Sequence, residues 1–197
     1  ENKVEMGKGR SAGIEFMAQK TAGKTTGWLS YTLSKSDRKF TKGGINNGEW
    51  FPYKYDRRHS INLTINHKFS DRIDIGASWV FYTGGTSTIP EEKTTVIRPH
   101  NGANNGFLWY GTYDNTNSSP TIGDVSYIEH RNNFRLPASH RLNLGVNFNK
   151  KTKHGMRTWN ISLYNAYNAM NPAWVYRGHN KQGLSVIKKY TLLPLIP

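Results

Sequence analysis

The chain has no cysteine and no long hydrophobic run, and both absences narrow the classes it can belong to. Without cysteine among its 197 residues, a disulfide framework or a thiolate metal site is excluded. No stretch approaches the roughly 18 consecutive apolar residues of a transmembrane helix. A membrane β-barrel is compatible with these absences, because its strands alternate in hydrophobicity over ~10 residues instead of forming one apolar run.

Acidic residues are also few, at 13 against 27 lysines and arginines, which gives a formal net charge of +14. Such a charge can indicate a nucleic-acid-binding domain, but here the basic residues are dispersed along the chain and form no patch. Hydrophobic residues make up only 36%, while aromatic residues reach 13%. This composition favours β structure with one apolar and one polar face.

Alternation with a period of two residues dominates the sequence, and helical periodicity is nearly absent. In the third strand, Ile61, Leu63 and Ile65 alternate with Asn62 and Thr64. We therefore predict an all-β chain, an antiparallel meander of about seven strands. They span about 11–20, 26–40, 59–69, 72–84, 139–150, 156–176 and 184 to the end of the chain.

The predicted connections alternate between short turns and long loops. The short turns lie at about 22–25, 70–71 and 151–155, and the loops at 41–58, 85–138 and 177–183. Outer-membrane barrels sort their connections in this way, with short periplasmic turns and long extracellular loops. Seven strands leave two unpaired edges, whereas a sheet that spans a membrane must close. We therefore expect further strands outside this sequence.

Four short motifs occur in a fixed order along the chain. They are YDRRH at 55–59, RNNFRLPASHRL at 131–142, YNAYNAMNP at 164–172 and YTLLPLIP at 190–197. Together they resemble the C-terminal barrel of TonB-dependent outer-membrane receptors, most closely the kind found in Bacteroidetes. The resemblance covers nearly the whole chain, so residues 1–197 are expected to be one barrel portion.

The resemblance implies a barrel of about 22 strands in the bacterial outer membrane, with an N-terminal plug in its lumen. The plug and the TonB box are expected to lie outside this sequence, which begins at Glu1 without an initiator methionine and stops at Pro197. The implied function is energised import of a nutrient such as a ferric siderophore, haem, glycan or peptide. The expected partners are the remaining strands and the plug, the TonB complex, outer-membrane lipids and lipopolysaccharide, and a surface lipoprotein.

Aromatic and basic residues of the long loops are the candidate ligand contacts. Stacking and positive charge suit sugars, haem and ferric chelates, and binding residues concentrate on loops. The alternative is that these side chains pack within the loops or touch lipopolysaccharide. The candidates are Arg98, His100, Trp109, Tyr110, Tyr113, Trp50 and Tyr53.

No motif predicts catalysis or a bound metal. The seven histidines show no metal-ligand spacing on one strand face, and His59 and His140 are interpreted as anchors where loops enter strands. Neither a nucleophile elbow nor a phosphate-binding loop is present, so we expect no enzyme activity and no cofactor.

Four aromatic residues near strand ends are interpreted as an interfacial girdle: Trp79, Phe81, Phe148 and Trp159. Ordinary cross-strand packing would explain them in a soluble protein. A soluble β-sandwich that binds carbohydrate is accordingly the alternative reading, and it requires that a second sheet cover the apolar face.

Overall fold

The computed structural model describes residues 6–41, 44–98, 121–192 and 194–196, and for 92–98 and 121–125 it describes the backbone alone. The described chain is all-β and antiparallel, as predicted. It divides into two compact units, residues 1–89 with 130–197, and residues 90–129. Among the described residues, no helix is long and apolar enough to cross a membrane.

Six long strands form the main sheet of the first unit in chain order, as an antiparallel meander. Each strand pairs with its sequence neighbour, and the first and last lie at the sheet edges. These strands are β1 (Gly7–Lys20), β2 (Thr25–Phe40), β4 (His59–Lys68), β5 (Ile73–Tyr82), β10 (Ser139–Thr152) and β11 (Gly155–Leu163).

Tight turns join these strands at one end, which we name the turn end. Gly23 has φ of 92° and Gly155 φ of 156°, values that favour glycine. Between β4 and β5, the Ser70 hydroxyl accepts hydrogen bonds from the backbone N–H groups of Arg72 and Ile73. These short turns fix the register of the hairpins, because a one-residue slip would exchange the two faces of the sheet.

Longer segments connect the strands at the opposite end, the loop end, and they carry short pairings. The strand β3 (Phe51–Pro52) pairs with β2, and β6 (Thr86–Ser87) pairs with β9 (Phe134–Arg135). A 3-10 turn at Ile45–Gly48 precedes β3. The backbone approaches closely here, because a Cβ on Gly84 would lie 2.0 Å from the carbonyl oxygen of Leu136.

The segment 85–138 is predicted as a loop, and this is wrong for part of it. The second unit contains a hairpin of β7 (Glu92–Arg98) and β8 (Thr121–Tyr127), paired from Glu92 with Tyr127 to Arg98 with Thr121. Its strands alternate weakly in hydrophobicity, so a pattern built on period two missed them.

The predicted sixth strand, 156–176, is broken in the structure. After β11 the chain turns at Asn165 and Asn168, both with positive φ, and the Asn165 side chain bonds the backbone N–H and C=O of Ala169. The chain then forms a separate hairpin of β12 (Pro172–His179) and β13 (Ser185–Thr191). The predicted seventh strand, 184 to the end, therefore pairs with β12 and is not a strand of the main sheet. Near its end, Ile196 forms an isolated bridge with Tyr164.

Candidate functional site

The main sheet has one apolar face and one polar face, and the strand register keeps them apart. One cross-strand row runs from Leu29 through Leu63 and Trp79 to Leu142. At the edges Phe16 is 57% exposed and Ile161 64%. Among residues whose burial the structure describes, only Phe51 and Ile89 are buried apolar residues.

Within the first unit, the large side chains of this face are exposed or half-buried. A soluble sandwich would bury it against a second sheet ~10 Å away. Soluble monomers rarely expose a contiguous apolar surface of more than a few hundred Å², and larger ones mark interaction sites. The described residues thus lack the buried core that the carbohydrate-binding sandwich requires.

Aromatic and imidazole side chains border the apolar face at both ends. At the loop end, Tyr31 and His59 share a hydrogen bond of 2.9 Å, and Tyr167 accepts one of 3.0 Å from the Trp79 indole and shares one of 2.8 Å with His140. This places both predicted anchor histidines at the border.

At the turn end, His67 packs edge-on against Phe69, with 4.4 Å between ring centroids, and Phe148 pairs with Trp159. Phe81 pairs with His140 at the loop end and Ile73 with Phe148 at the turn end. These borders are eight residues apart along β5, or about 26 Å at ~3.3 Å per residue. At the ~35–45° tilt of barrel strands, this length spans about 20 Å along the barrel axis, against an apolar band about 25 Å tall in outer-membrane barrels.

The polar face carries a hydrogen-bonded ladder across three strands. The Asp74 carboxylate accepts bonds of 2.6 Å from the side-chain amides of both Asn147 and Asn149. Asn160 in turn donates to Asn147, and Thr158 donates to Asn149. Nearer the loop end, the Arg141 guanidinium lies over the Tyr164 ring and donates to its hydroxyl. Lumen-facing surfaces of large barrels are polar in this way.

A buried carboxylate ties the two long loops of the first unit together, and we name its contacts the loop clasp. Asp56 is 1% exposed and accepts bonds from the Arg135 Nη2 at 2.5 Å, the Arg58 Nε at 3.0 Å and the Ser36 backbone N–H at 2.6 Å. Arg135 also donates 2.9 Å bonds to the carbonyl oxygens of Asp56 and Gly84. Arg135 therefore binds three acceptor groups at the loop end, two on Asp56 and one on Gly84.

Asparagine side chains extend the clasp. Asn46 exchanges two hydrogen bonds with the backbone of Arg131, and Asn132 donates to the carbonyl of Pro52. Asn133 bonds both backbone groups of Ile89. The loops at 41–58 and 130–138 thus form one connected platform.

The ionised form of Asp56 is the stable one in this setting. Burial raises the pKa of the Asp56 carboxyl, but the hydrogen bonds from Arg135 and Ser36 and the charges of Arg58 and Arg135 outweigh burial and lower the pKa below its ordinary value. The clasp is therefore fully ionised at neutral pH.

Of the seven candidate ligand contacts, the structure describes the surroundings of two. The Arg10 guanidinium lies over the Trp50 ring at 4.3 Å, and the Arg38 guanidinium over the Tyr53 ring at 4.1 Å. Arg98 ends β7 in the second unit, and its side chain lies outside the described residues. His100, Trp109, Tyr110 and Tyr113 also lie outside them.

Trp50 and Tyr53 are close in sequence but stack on cations from opposite faces of the β1–β2 hairpin. Arg38 packs over Gly9. A Cβ atom at position 9 would lie 2.5 Å from the Nη1 atom of Arg38, so both residues face the same side of the hairpin. Arg10, one residue along β1, points to the other face, where it meets Asp37. The two aromatic residues therefore do not form one pocket.

Sequence reasoning did not single out Asp56, Arg135 or Arg10. Asp56 lies within the YDRRH motif, where one acidic residue precedes two arginines. That arrangement could have indicated a buried carboxylate, because isolated acidic residues in basic loops need paired cations when buried. Arg135 follows Asp56 by 79 positions, and no local pattern links them.

Comparisons with protein-family models, with curated proteins and with solved structures found no match for this chain, so its function is inferred from its own side chains and their geometry.

Proposed function

We propose that the chain forms part of the wall of a closed outer-membrane β-barrel, the C-terminal strands of a TonB-dependent nutrient receptor. Further strands would pair with the edges at β1 and β11, because unpaired backbone groups are not tolerated in hydrocarbon. The polar face would line the lumen, and the apolar face would contact lipid. The loop end would face the outside and the turn end the periplasm.

The observation that carries this proposal is the exposed apolar face, which stays in register across six strands and has polar residues on its reverse. Its extent between the two borders is about 26 Å along the strand, or about 20 Å at the tilt of barrel strands, which is most of the height of a barrel's apolar band. Tyr31 and Trp159 have the amphipathic rings that concentrate at membrane interfaces, whereas Trp79 pairs with Leu63 inside the band.

The four ordered motifs of the sequence support the assignment to a receptor. The loop clasp fits this assignment because it orders the loops at one end of the sheet. The clasp would hold the outer loops as a platform above the lumen. Tyr53 stacks with Arg38 on the polar-face side, where a ligand entering the lumen would pass. Trp50 stacks with Arg10 on the apolar-face side, at the membrane rim. We therefore assign ligand contact to Tyr53 and not to Trp50.

The membrane wall is tested with single-tryptophan variants of the intact receptor in vesicles of brominated phosphatidylcholine. Trp159 lies on the apolar face and should be strongly quenched by brominated acyl chains. Trp28 pairs with Gln19 and Thr64 on the polar face and should keep most of its emission. Aqueous iodide should show the reverse preference. Equal quenching of the two tryptophans would contradict the wall.

Transport is tested by uptake in cells that lack the receptor and are complemented with variants. We expect growth on one nutrient class among ferric siderophores, haem, glycans and peptides to require the receptor and the proton-motive force. Tyr53→Ala should lower that uptake several-fold, because its ring faces the entrance, whereas Trp50→Ala at the rim should leave it unchanged. Uptake of all four classes without the receptor would overturn the transport function.

A further inference from the structure

Three arginine side chains lie over tyrosine rings on the polar-face side of the main sheet. In each case the guanidinium carbon is between 4.0 and 4.3 Å from the ring centroid. We name them the arginine–tyrosine pairs: Arg38–Tyr53, Arg57–Tyr82 and Arg141–Tyr164. The loop clasp contains none of these arginines, and among the tyrosines the proposed function assigns a ligand contact only to Tyr53.

Strand alternation places the three pairs on one side of the sheet. Tyr82 follows Phe81 on β5, and Arg141 precedes Leu142 on β10. Because Phe81 and Leu142 belong to the apolar face, Tyr82 and Arg141 point to the polar face. Arg38 packs over Gly9 on that same side.

The pairs descend from the loop end toward the middle of the sheet. Register places Thr32 and Tyr82 in one cross-strand row, and Arg38 lies six residues beyond Thr32 on β2, or about 20 Å. Arg141 lies two residues nearer the turn end than Ser139, the partner of Tyr82, or about 7 Å. In the proposed barrel, the three pairs would therefore line a path from the outer mouth into the lumen.

The charge of these arginines is poorly compensated by the chain itself. None of the three forms an ion pair with a carboxylate in the part of the chain that the structure describes. Two carboxylates of the polar face lie elsewhere. Asp74 binds two asparagine amides near the turn end, and Glu15 lies three strands from Tyr82, or about 14 Å.

Arg141 shows the imbalance most clearly. Its Nη1 donates to the Tyr164 hydroxyl, but its Nε is buried and has no hydrogen-bond acceptor among the described residues. A buried charged donor without an acceptor is costly. An anion bound beside this guanidinium would therefore stabilise the site.

A guanidinium that lies over a ring keeps N–H donors for a second partner. The ring holds the guanidinium in place, and the planar fork of donors matches a carboxylate with two parallel hydrogen bonds. Arg57 is exposed, and Arg38 and Arg141 are half-buried, so an acceptor on the polar-face side can approach all three. Carboxylate is the acidic group that can occur in all four nutrient classes.

We propose that the arginine–tyrosine pairs bind the carboxylate groups of the transported ligand in succession, so that the substrate is an acidic member of its nutrient class. The inference rests on the proposed function, since only in a closed barrel does the polar face line a lumen. It narrows the substrate to ligands that carry carboxylates and are not neutral.

The test measures uptake by cells that carry the intact receptor, with one acidic and one neutral probe for each nutrient class. The probes are haem and haem dimethyl ester, oligogalacturonate and its methyl ester, a glutamate peptide and its glutamine analogue, and ferric citrate and a neutral ferric trihydroxamate. We expect the receptor to support uptake of the acidic probe of one class and little uptake of its neutral partner.

Two variants connect this preference to the pairs. In Arg57→Gln/Arg141→Gln, the half-saturating concentration of the acidic probe should rise about tenfold or more, the usual effect of losing a hydrogen bond to a charged group. Uptake of the neutral probe should not change. Arg157→Gln is the matched control, because Arg157 pairs with Lys150 at the turn end, on the apolar-face side. If the double variant lowers the yield of folded receptor, Arg57→Gln alone tests the path, since its side chain is exposed.

Equal uptake of the acidic and neutral probes, or an equal loss in Arg157→Gln, would overturn the carboxylate path and leave the transport function standing. If no probe requires the receptor for uptake, the transport function and this inference fail together.

Discussion

In the proposed membrane wall, replacing Leu63 by arginine should destabilise the protein by about 2–4 kcal/mol, the cost of a cation on a lipid-facing surface near the bilayer midplane. Leu63 lies midway between the two borders, four residues from both His59 and His67, and it pairs with Leu29 and Trp79 on the apolar face. The yield of folded protein in the outer-membrane fraction, and urea unfolding in vesicles, measure this effect.

The matched control is Asn62→Arg, one residue away on the polar face, where Asn62 is exposed and bonds only weakly to Ser30 at 3.5 Å. It should cost little, because an arginine on the exposed polar face stays hydrated. Leu63→Ala separates charge from packing. A leucine facing lipid should lose only the transfer free energy of the removed carbons, about 2 kcal/mol, whereas a core leucine of a sandwich also leaves a cavity and would lose up to about 5 kcal/mol. Equal effects of Leu63→Arg and Asn62→Arg would contradict the two-faced wall.

Arg135→Met should release the loop clasp and cost about 3–5 kcal/mol, the usual effect of removing one partner from a buried ion pair. The variant loses the 2.5 Å bond to Asp56 and the two bonds to backbone carbonyls, while Asp56 remains buried beside Arg58. Arg135→Lys should recover part of the loss, since lysine keeps the charge but not the planar fork of donors. Urea unfolding and protease cleavage within 41–58 measure the change.

Lys68→Met is the control for the loss of an ion pair. Lys68 and Asp71 are 3.0 Å apart, but their side chains are 61% and 80% exposed, so less than about 1 kcal/mol should be lost. A similar loss of stability in Arg135→Met and Lys68→Met would show that the loop clasp stabilises the protein no more than an exposed ion pair does.

The stability of the loop clasp should fall in acid. The pKa of Asp56 is lowered in the folded chain, so its stabilising contribution is fully present above the unfolded value of about 3.9. It is lost as pH falls through the lower folded pKa. Protease cleavage at 41–58 should therefore rise in acid below about pH 4 in the native receptor, and Asp56→Asn should lack this acid step.

Local patterns of the sequence predicted much of the sheet. The alternation of Ile61, Leu63 and Ile65 with polar residues set both the β4 strand and its faces, because successive strand residues point to opposite sides. The same alternation misplaced the sixth strand. It did not detect that Asn165 adopts positive φ and bonds Ala169, a local turn that competes with strand pairing.

The sequence predicted the kinds of residue at the candidate sites but not how they are paired. Aromatic and basic residues in the loops indicated binding surfaces, but which cation meets which ring depends on strand register and loop contacts. Trp50 and Tyr53 are separated by three positions and stack on opposite faces of the hairpin, a result of the pairing of β3 with β2.

The sequence by itself determined the all-β class, the antiparallel order of the main strands and the apolar and polar faces, because each depends on periodicity and turn residues within a few positions. The tertiary structure alone decided the loop clasp and the separate hairpin of β12 and β13. Asp56 meets Arg135 across 79 positions, and such a contact exists only after the register of the sheet is set.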